Sequence, residues 1–166
     1  MMTQKKNKVI AVVGATASGK TAYAVNLAKQ INGEIISADS RLVYKGLDIG
    51  TAKPSMAERE GIPHHMIDVV EPEVDYSVGI YSQTAGNIID EIISRGKVPI
   101  IAGGTGLYFR ILLENYDLPK INPDYELRKE LSQLEFDELY NMLVKLDSDA
   151  AKLVVQNDKR RAIRFI

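Results

Sequence analysis

VIAVVGATASGKT, residues 9–21, is the segment that constrains the fold most strongly. Residues 9–13 form a continuous apolar run, which is typical of a strand buried inside a parallel sheet. Residues 14–21 satisfy the pattern G-x-x-x-x-G-K-[ST] of a phosphate-binding loop (P-loop), and a helix is expected directly after them. The sequence therefore predicts a strand–loop–helix unit whose backbone N–H groups surround an anion.

Most residues of this loop are candidates for phosphate contact. Lys20 adds a positive charge, and the hydroxyl of Thr21 can bind Mg²⁺. The pattern does not say whether the phosphates belong to a nucleotide, and a chance match at an ordinary strand–helix turn is the alternative. The candidates are Gly14, Thr16, Ala17, Ser18, Gly19, Lys20 and Thr21.

Strand and helix patterns alternate from this unit to about residue 115. Apolar periodicity predicts strands at 9–13, 34–38 and 98–102, a weaker strand at 65–70, and helices at 20–31, 77–94 and from the turn at 103–106 through 113. Gly33 is expected to end the first helix. This alternation predicts an α/β fold, a P-loop NTPase-like parallel sheet flanked by helices.

Strand patterns stop near residue 115, and only helical patterns follow. Asn122 and Pro123 form a cap-then-proline signal for a helix start. Helices are predicted at 123–133, 136–146, 148–155 and 158–166. We therefore divide the chain into an α/β core, residues 1–115, and a helical insertion, residues 116–166. The last helix has no stop signal, so we expect the natural chain to continue.

The composition is that of an ordinary globular protein. Hydrophobic residues make up 45% and charged residues 26% of the chain, with a net charge of −1. The absence of cysteine excludes a disulfide scaffold and a thiolate metal site. No apolar run approaches the length of a bilayer span, and the polar start does not fit a signal peptide. We expect a cytoplasmic monomer that does not bind membranes.

Asp39, Ser40 and Arg41 directly follow the second predicted strand. A carboxylate at the carboxyl end of a parallel strand faces the crevice where ligands bind. Asp39 is therefore a candidate general base or metal-shell acid, and an N-cap for the next turn is the alternative.

The strand at 98–102 ends in Gly103, where a typical NTPase places an acidic residue. The missing acid argues against ATP hydrolysis, and the following Gly103-Gly104-Thr105-Gly106 lets the backbone approach a ligand closely. Thr105 either caps the next helix or touches substrate, and the cap is the expected role from the sequence alone.

Two further clusters have polar side chains at close spacing. His64 and His65 are neighbours on an extended segment and point to opposite sides, so structural hydrogen bonds are expected rather than a shared metal. Near the end of the chain, Arg161 and Arg164 are three residues apart and share a helix face. Such a pair can grip phosphates, although a solvated helix face is the more common case.

Taken together, these segments resemble the tRNA dimethylallyltransferase (isopentenyltransferase) family. The matching segments are GATASGKT (14–21), SADSRLVYKGLDIGTAKP (37–54), PHHMID (63–68), GGTGLY (103–108) and NDKRRAIR (157–164). They occur in the family's order and spacing and cover nearly the whole chain. Members are about twice as long, and many have Gln where this chain has Leu42.

The resemblance implies transfer of a dimethylallyl group from dimethylallyl diphosphate to N6 of adenine 37 in the tRNA anticodon loop. It implies that the P-loop holds the diphosphate together with Mg²⁺. Asp39 would be the general base, and Thr105 would act beside it near the reacting base. The tRNA anticodon stem-loop would contact Asp39, Ser40, Arg41, Leu42, Thr105, Arg128, Arg160, Arg161 and Arg164.

Two alternatives remain open from the sequence. A small-molecule kinase with the same loop would bind and use ATP. A nucleotide-binding or RNA-binding module without catalysis is the second, especially for a chain of this length.

Overall fold

The computed structural model describes residues 8–114 and 124–166, and the chain divides into two compact units, Met1–Leu118 and Pro119–Ile166. The first unit alternates strands and helices, which confirms the predicted α/β class. In chain order its elements are β1 (Ile10–Val13), α1 (Lys20–Ile31), β2 (Gly33–Ala38), α2 (Met56–Arg59), β3 (His64–His65), α3 (Val78–Ser94), β4 (Val98–Gly103) and α4 (Gly106–Leu113).

The strands form one parallel sheet in the order β1-β4-β2-β3. β4 lies between the strand that leads into the P-loop and the strand that leads into Asp39. Its Ile100 pairs with Ile10 of β1 on one side and with Ile35 of β2 on the other. All six residues of β2 are buried. The predicted parallel sheet flanked by helices is therefore confirmed.

Two apolar layers cover the two faces of this sheet. Successive side chains of a strand point to opposite faces, and Ile35 and Ile36 of β2 accordingly belong to different layers. On one face Ile35 packs with Ala24 and Val25 of α1. On the other face the layer contains side chains of α3 and α4, namely Tyr81, Ala85, Ile92, Tyr108 and Phe109.

The first helix has the predicted bounds, but Asn32 rather than Gly33 occupies its left-handed C-cap, with φ 54°. Asparagine is one of the few residues besides glycine that visits this conformation readily. Gly33 instead begins β2 in a crowded position. A side-chain carbon built on it would lie 2.7 Å from Cδ1 of Ile100 and 3.1 Å from the carbonyl oxygen of Val98. The glycine is thus required by packing and not by the end of the helix.

The weak strand predicted at 65–70 is wrong in its extent. Only His64 and His65 pair with β2. Met66 and Asp68 have φ values of 62° and 55°, which break the extended conformation. Pairing resumes only as an isolated parallel bridge between Tyr44 and Val70.

The buried carboxylate of Glu34, near the start of β2, connects several neighbouring elements. Glu34 is only 3% exposed, and its oxygens accept hydrogen bonds from His65 Nε2 (2.7 Å), Arg95 Nη2 (2.9 Å) and Lys97 Nζ (2.7 Å). Burial would raise the pKa of Glu34, but the bonds from Lys97 and His65 and the charge of Arg95 outweigh it and lower the pKa to about 2. This network ties β2 to β3, to the end of α3 and to the start of β4.

The second unit is helical in its described part. Its helices are α5 (Tyr125–Ser132), α6 (Phe136–Leu146), α7 (Ser148–Ala151) and α8 (Lys159–Phe165). They enclose a small core that includes Leu131, Leu139, Leu143, Val154 and Ala162. The helix predicted at 148–155 is wrong in length, because α7 ends at Ala151. The predicted cap at Asn122 and Pro123 lies outside the described residues, and Asp124 caps α5 through the N–H of Leu127 (2.9 Å).

None of the helices described in either unit combines the length and the apolar character that a bilayer crossing requires.

Candidate functional site

The P-loop joins the end of β1 to the start of α1, and residues 15–19 are exposed. Two of its residues have left-handed conformations, Ala17 with φ 62° and Gly19 with φ 80°. Gly19 is the N-cap of α1, and no side chain caps this helix end. The N–H groups of the first turn are therefore open to a ligand, as an anion site at a helix N-terminus requires.

Lys20 and Thr21 are the first two residues of α1. The ammonium group of Lys20 folds back and donates a hydrogen bond to the carbonyl oxygen of Ala15, in the same loop. Thr21 is exposed, so its hydroxyl is accessible. A hydroxyl oxygen and the oxygens of a bound diphosphate are ligands that suit Mg²⁺, which usually retains several waters and needs few protein ligands.

The turn after β4, residues 104–105, lies between the P-loop and the turn at residues 39–41, which we call the Asp39 turn. A side-chain carbon built on Gly104 would lie 3.9 Å from the carbonyl oxygen of Gly14. One built on Gly103 would lie 2.2 Å from the carbonyl oxygen of Ala38, which no real side chain tolerates. Position 103 therefore excludes the acidic residue of a typical NTPase, because the neighbouring strand leaves no room for any side chain.

Asp39 follows β2 and is partly buried, while Ser40 and Arg41 are exposed. Its Oδ1 accepts a hydrogen bond from the backbone N–H of Arg41 at 2.8 Å, which closes a tight turn. Within the described residues, Asp39 is the only carboxylate in the segments that follow the carboxyl ends of β1, β2 and β4, residues 14–19, 39–41 and 104–105.

Thr105 connects the turn after β4 to the Asp39 turn. Its Oγ1 accepts a hydrogen bond from the N–H of Ser40 (3.1 Å), and its own N–H donates to the carbonyl oxygen of Ala38 (3.0 Å). Thr105 is the N-cap residue of α4, but its side chain makes no capping bond. The capping role expected from the sequence alone is therefore wrong, because the hydroxyl is engaged across the strand ends.

Leu42 differs from its neighbours in this turn. Its side chain is 9% exposed and belongs to the core. Its carbonyl oxygen accepts a hydrogen bond from the N–H of Asp68 at 3.0 Å. A contact of Leu42 with tRNA remains a prediction, and a buried side chain is consistent with an apolar residue at this position.

Four of the five arginines predicted to contact tRNA lie in the second unit, and the fifth, Arg41, is exposed after β2. Arg128 of α5 and Arg160 and Arg164 of α8 line one cavity of about 300 Å³ together with Ile163. In the part of the chain that the structure describes, none of these three guanidinium groups has an acidic partner. Arg161 instead lies over the ring of Phe165, 5.7 Å from its centre. The clustered pair is thus Arg160 and Arg164, one helical turn apart, rather than the predicted pair of Arg161 and Arg164.

The two histidines have structural partners, as expected from the sequence. His64 Nδ1 lies 2.8 Å from the carbonyl oxygen of Ile62, and His65 joins Glu34. Burial lowers the pKa of His64, which favours its neutral form.

Comparison with known proteins agrees with the arrangement of these segments. The family model described as IPP transferase matches residues 42–166, three quarters of the chain. The chain belongs to the IPP transferase family. Over 164 residues it is 47% identical to the tRNA dimethylallyltransferase of Acetivibrio thermocellus, and this alignment covers 96% of this chain and 52% of that protein. It is 50% identical over 165 residues to the enzyme of that name from Lactococcus lactis, covering 98% and 55%.

Solved structures of IPP transferases have the same fold. The full-length tRNA isopentenylpyrophosphate transferase of Bacillus halodurans matches 96% of this chain and 54% of its own, with 43% identity and a TM-score of 0.68. A eukaryotic dimethylallyltransferase described as acting on tRNA matches 95% of this chain and 40% of its own, with 37% identity and a TM-score of 0.82. This IPP transferase chain spans about half the length of the curated relatives it matches.

Sequence reasoning did not single out two residues that shape the site in this IPP transferase. Tyr81, in α3, donates a hydrogen bond to the carbonyl oxygen of Ser37, two residues before Asp39. Lys53 buries its ammonium group beside the segment that follows Asp39. Lys53 lies in a long irregular segment, where no periodic pattern marks a residue. Tyr81 occupies a core position of a helix, and in the sequence such a tyrosine looks like any residue that only packs in the core.

Proposed function

We propose that the complete protein transfers a dimethylallyl group from dimethylallyl diphosphate to N6 of an adenine in the anticodon loop of tRNA. The observation that carries this proposal is the meeting of the P-loop and the Asp39 turn at one sheet edge, with Gly104 and Thr105 between them. The activity for which the relatives are named belongs to the same reaction class, which supports the proposal.

The P-loop suits the leaving group of this reaction. As the allylic C–O bond breaks, its electron pair leaves with the diphosphate, whose negative charge grows. The uncapped N-terminus of α1 supplies fixed donors, and the ammonium group of Lys20 would join them by turning from the carbonyl oxygen of Ala15 to the ligand. These donors stabilise the charge most when it is largest. Mg²⁺, held by Thr21 and the diphosphate oxygens, would supply further positive charge to the leaving group.

The Asp39 turn suits the nucleophile. The adenine N6 forms a bond to the allylic carbon and must lose a proton, and a carboxylate within reach can accept it. One oxygen of Asp39 accepts the N–H of Arg41, and the other makes no hydrogen bond within the described residues. The base must leave its stack to reach this turn, which costs little in a single-stranded loop.

The second unit offers a surface for the tRNA backbone. Arg128, Arg160 and Arg164 line one cavity, and guanidinium groups pair with phosphate oxygens in bidentate geometry. These contacts would position the tRNA without reading its sequence. Monomeric state and cytoplasmic location are further parts of the proposal.

A P-loop kinase is the main alternative. A typical P-loop NTPase has a metal-binding carboxylate after the strand that corresponds to β4, and position 103 has no room for one, which leaves Asp39 as the only carboxylate in residues 14–19, 39–41 and 104–105. This observation favours prenyl transfer over ATP chemistry.

The test uses the full-length protein, radiolabelled dimethylallyl diphosphate and unmodified tRNA, with ATP as a parallel substrate. We expect label on adenine and no ATP turnover. Asp39→Ala is expected to lower kcat by roughly 10²–10⁴-fold, the usual range for a lost general base. Asp90→Ala, on the exposed face of α3, is the matched control. Turnover of ATP without label on tRNA would overturn the proposal.

A further inference from the structure

The ammonium group of Lys53 is buried in the segment that follows the Asp39 turn. Its side chain is only 6% exposed, whereas the side chains of Asp48 and Asp68 are 69% and 41% exposed. Lys53 Nζ donates to Asp48 Oδ1 at 2.6 Å, to the carbonyl oxygen of Tyr44 at 3.2 Å, and to Asp68 Oδ1. A buried charge is costly unless it is paired, so the local fold must keep these acceptors in place.

The three acceptors come from different parts of the chain. Asp48 is in the same irregular segment as Lys53, and Tyr44 follows the Asp39 turn closely. Asp68 belongs to the segment after β3. Burial alone would lower the pKa of Lys53, but the hydrogen bonds and charges of Asp48 and Asp68 outweigh it and raise the pKa. The ammonium therefore stays charged and holds both segments together.

Asp68 extends this connection to the Asp39 turn. While its carboxylate binds Lys53, its backbone N–H donates to the carbonyl oxygen of Leu42 at 3.0 Å. The carbonyl oxygen of Val43 accepts from the N–H groups of Val69 (2.8 Å) and Val70 (3.0 Å). The chain leaving Asp39 is thus fixed against residues 68–70, and Lys53 is the buried charge at the centre of that attachment.

The Asp39 turn is held on both sides. On the β4 side Thr105 binds the N–H of Ser40 and the carbonyl oxygen of Ala38. On the other side three hydrogen bonds from the backbone N–H groups of residues 68–70 and the ammonium group of Lys53 hold it in place. The Lys53 side chain, 6% exposed, has far less access to water as an alternative partner than the carboxylates of Asp48 and Asp68.

We propose that Lys53 is a positioning residue for prenyl transfer, which fixes the Asp39 turn through Tyr44 and Asp68 without contacting the reacting atoms. This inference rests on the proposed function. A displacement of about 1 Å at a reacting group lowers rates by up to roughly 10²-fold. The P-loop follows another strand, β1, and the contacts of Lys53 are with Tyr44, Asp48 and Asp68, so we expect its loss to leave diphosphate binding unchanged.

The test compares three variants of the full-length protein. Lys53→Met keeps the length of the side chain and removes its charge, and we expect kcat to fall roughly 10- to 100-fold. Lys53→Arg keeps the charge with a different geometry and is expected to recover part of the rate. Lys45→Met is the matched control, because Lys45 lies in the same segment but forms an ion pair with Glu71 in which both side chains are about half exposed.

Calorimetric titration with dimethylallyl diphosphate separates positioning from loss of folded protein. A positioning role lowers kcat per bound site while the Kd and the binding stoichiometry remain those of the wild type. A merely structural role lowers stoichiometry and activity in proportion, and that outcome would overturn the inference. So would a Lys53→Met enzyme whose kcat per site is within twofold of the wild type. A wild-type protein that labels no tRNA would refute the proposed function instead.

Discussion

The hydroxyl of Tyr81 donates a hydrogen bond to the carbonyl oxygen of Ser37 at a distance of 3.0 Å, and neither side chain is exposed by more than 4%. β3 pairs with β2 only as far as Ile36. The backbone N–H and C=O of Ile35 point toward β3, where the N–H donates to the carbonyl oxygen of Pro63. Because these backbone groups point to alternate sides along a strand, those of Ser37 point toward β3 as well. Its carbonyl oxygen therefore lies where the sheet has lost a strand, and the Tyr81 hydroxyl takes the place of the missing N–H.

Removing this hydroxyl should destabilise the core. Tyr81→Phe leaves a buried carbonyl oxygen without its partner, which costs about 1–3 kcal/mol of unfolding free energy. Urea unfolding of the purified protein measures the loss. Tyr23→Phe is the control, because Tyr23 is 63% exposed and its change should stay within about 0.5 kcal/mol. Equal effects of the two substitutions would contradict the assigned role of the Tyr81 hydroxyl.

The two glycines Gly103 and Gly86 should respond in opposite ways to alanine. A side-chain carbon at 103 meets the backbone of Ala38 at 2.2 Å, and a backbone atom cannot move aside cheaply. Gly103→Ala should cost at least the 1–3 kcal/mol typical of overpacking. Gly86 lies within α3 with nothing within 4 Å, so Gly86→Ala should stabilise by about 0.5–1 kcal/mol. Thermal unfolding of both variants checks the signs, and a neutral Gly103→Ala would refute the close approach of β2 and β4.

Acid should weaken the fold through Glu34. Its folded pKa of about 2 lies below its ordinary value of 4.5, so its contribution is fully present above pH 4.5 and is lost as the pH falls toward 2. The difference corresponds to about 3 kcal/mol of unfolding free energy. Urea unfolding from pH 7 to pH 2 measures this dependence. Glu34→Gln should flatten it, while Glu91→Gln, whose carboxylate is 67% exposed, should not.

Salt should reveal which arginines bind phosphates. If the cavity lined by Arg128, Arg160 and Arg164 takes the tRNA backbone, each substitution to Ala should reduce the slope of log K against log[salt] by roughly 1. Binding of the full-length protein to an anticodon stem-loop at several salt concentrations measures the slope. Arg161→Ala is the comparison, because Arg161 lies over Phe165 and outside the cavity. An equal change of slope for Arg161→Ala would argue against the cavity as the phosphate site.

Local sequence signals predicted the parts of the site that depend on neighbouring residues. The apolar run of β1, the P-loop and the full extent of α1 follow from periodicity and from glycine at fixed positions. The position of Asp39 at the end of β2 follows from the same patterns. These elements are determined within about 30 residues of chain, so tertiary contacts did not alter them.

Features that depend on distant contacts were not predictable from the sequence. The absence of an acid at Gly103 was visible, but its reason is the backbone of Ala38 on the next strand. The hydroxyl of Thr105 reaches Ser40, 65 residues away in sequence, instead of capping its own helix. The segment around Lys53 has left-handed residues at Gly46, Gly50 and Ala52, and no periodic pattern indicates where such a segment brings a lysine.

The sheet order has one more consequence for the chemistry. One strand, β4, separates the strand of the P-loop from the strand of Asp39, and adjacent strands are about 4.8 Å apart, so the two strand ends are separated by roughly 10 Å. Because β4 ends in Gly103 and Gly104 follows it, Thr105 is the first residue after β4 with a side chain beside this interval. Under the proposed function the donor must span from leaving group to acceptor within it. We expect the reacting carbon of the donor, C1, to lie in this interval between its diphosphate and adenine N6, so that the strand spacing itself sets the gap that the transferred group crosses.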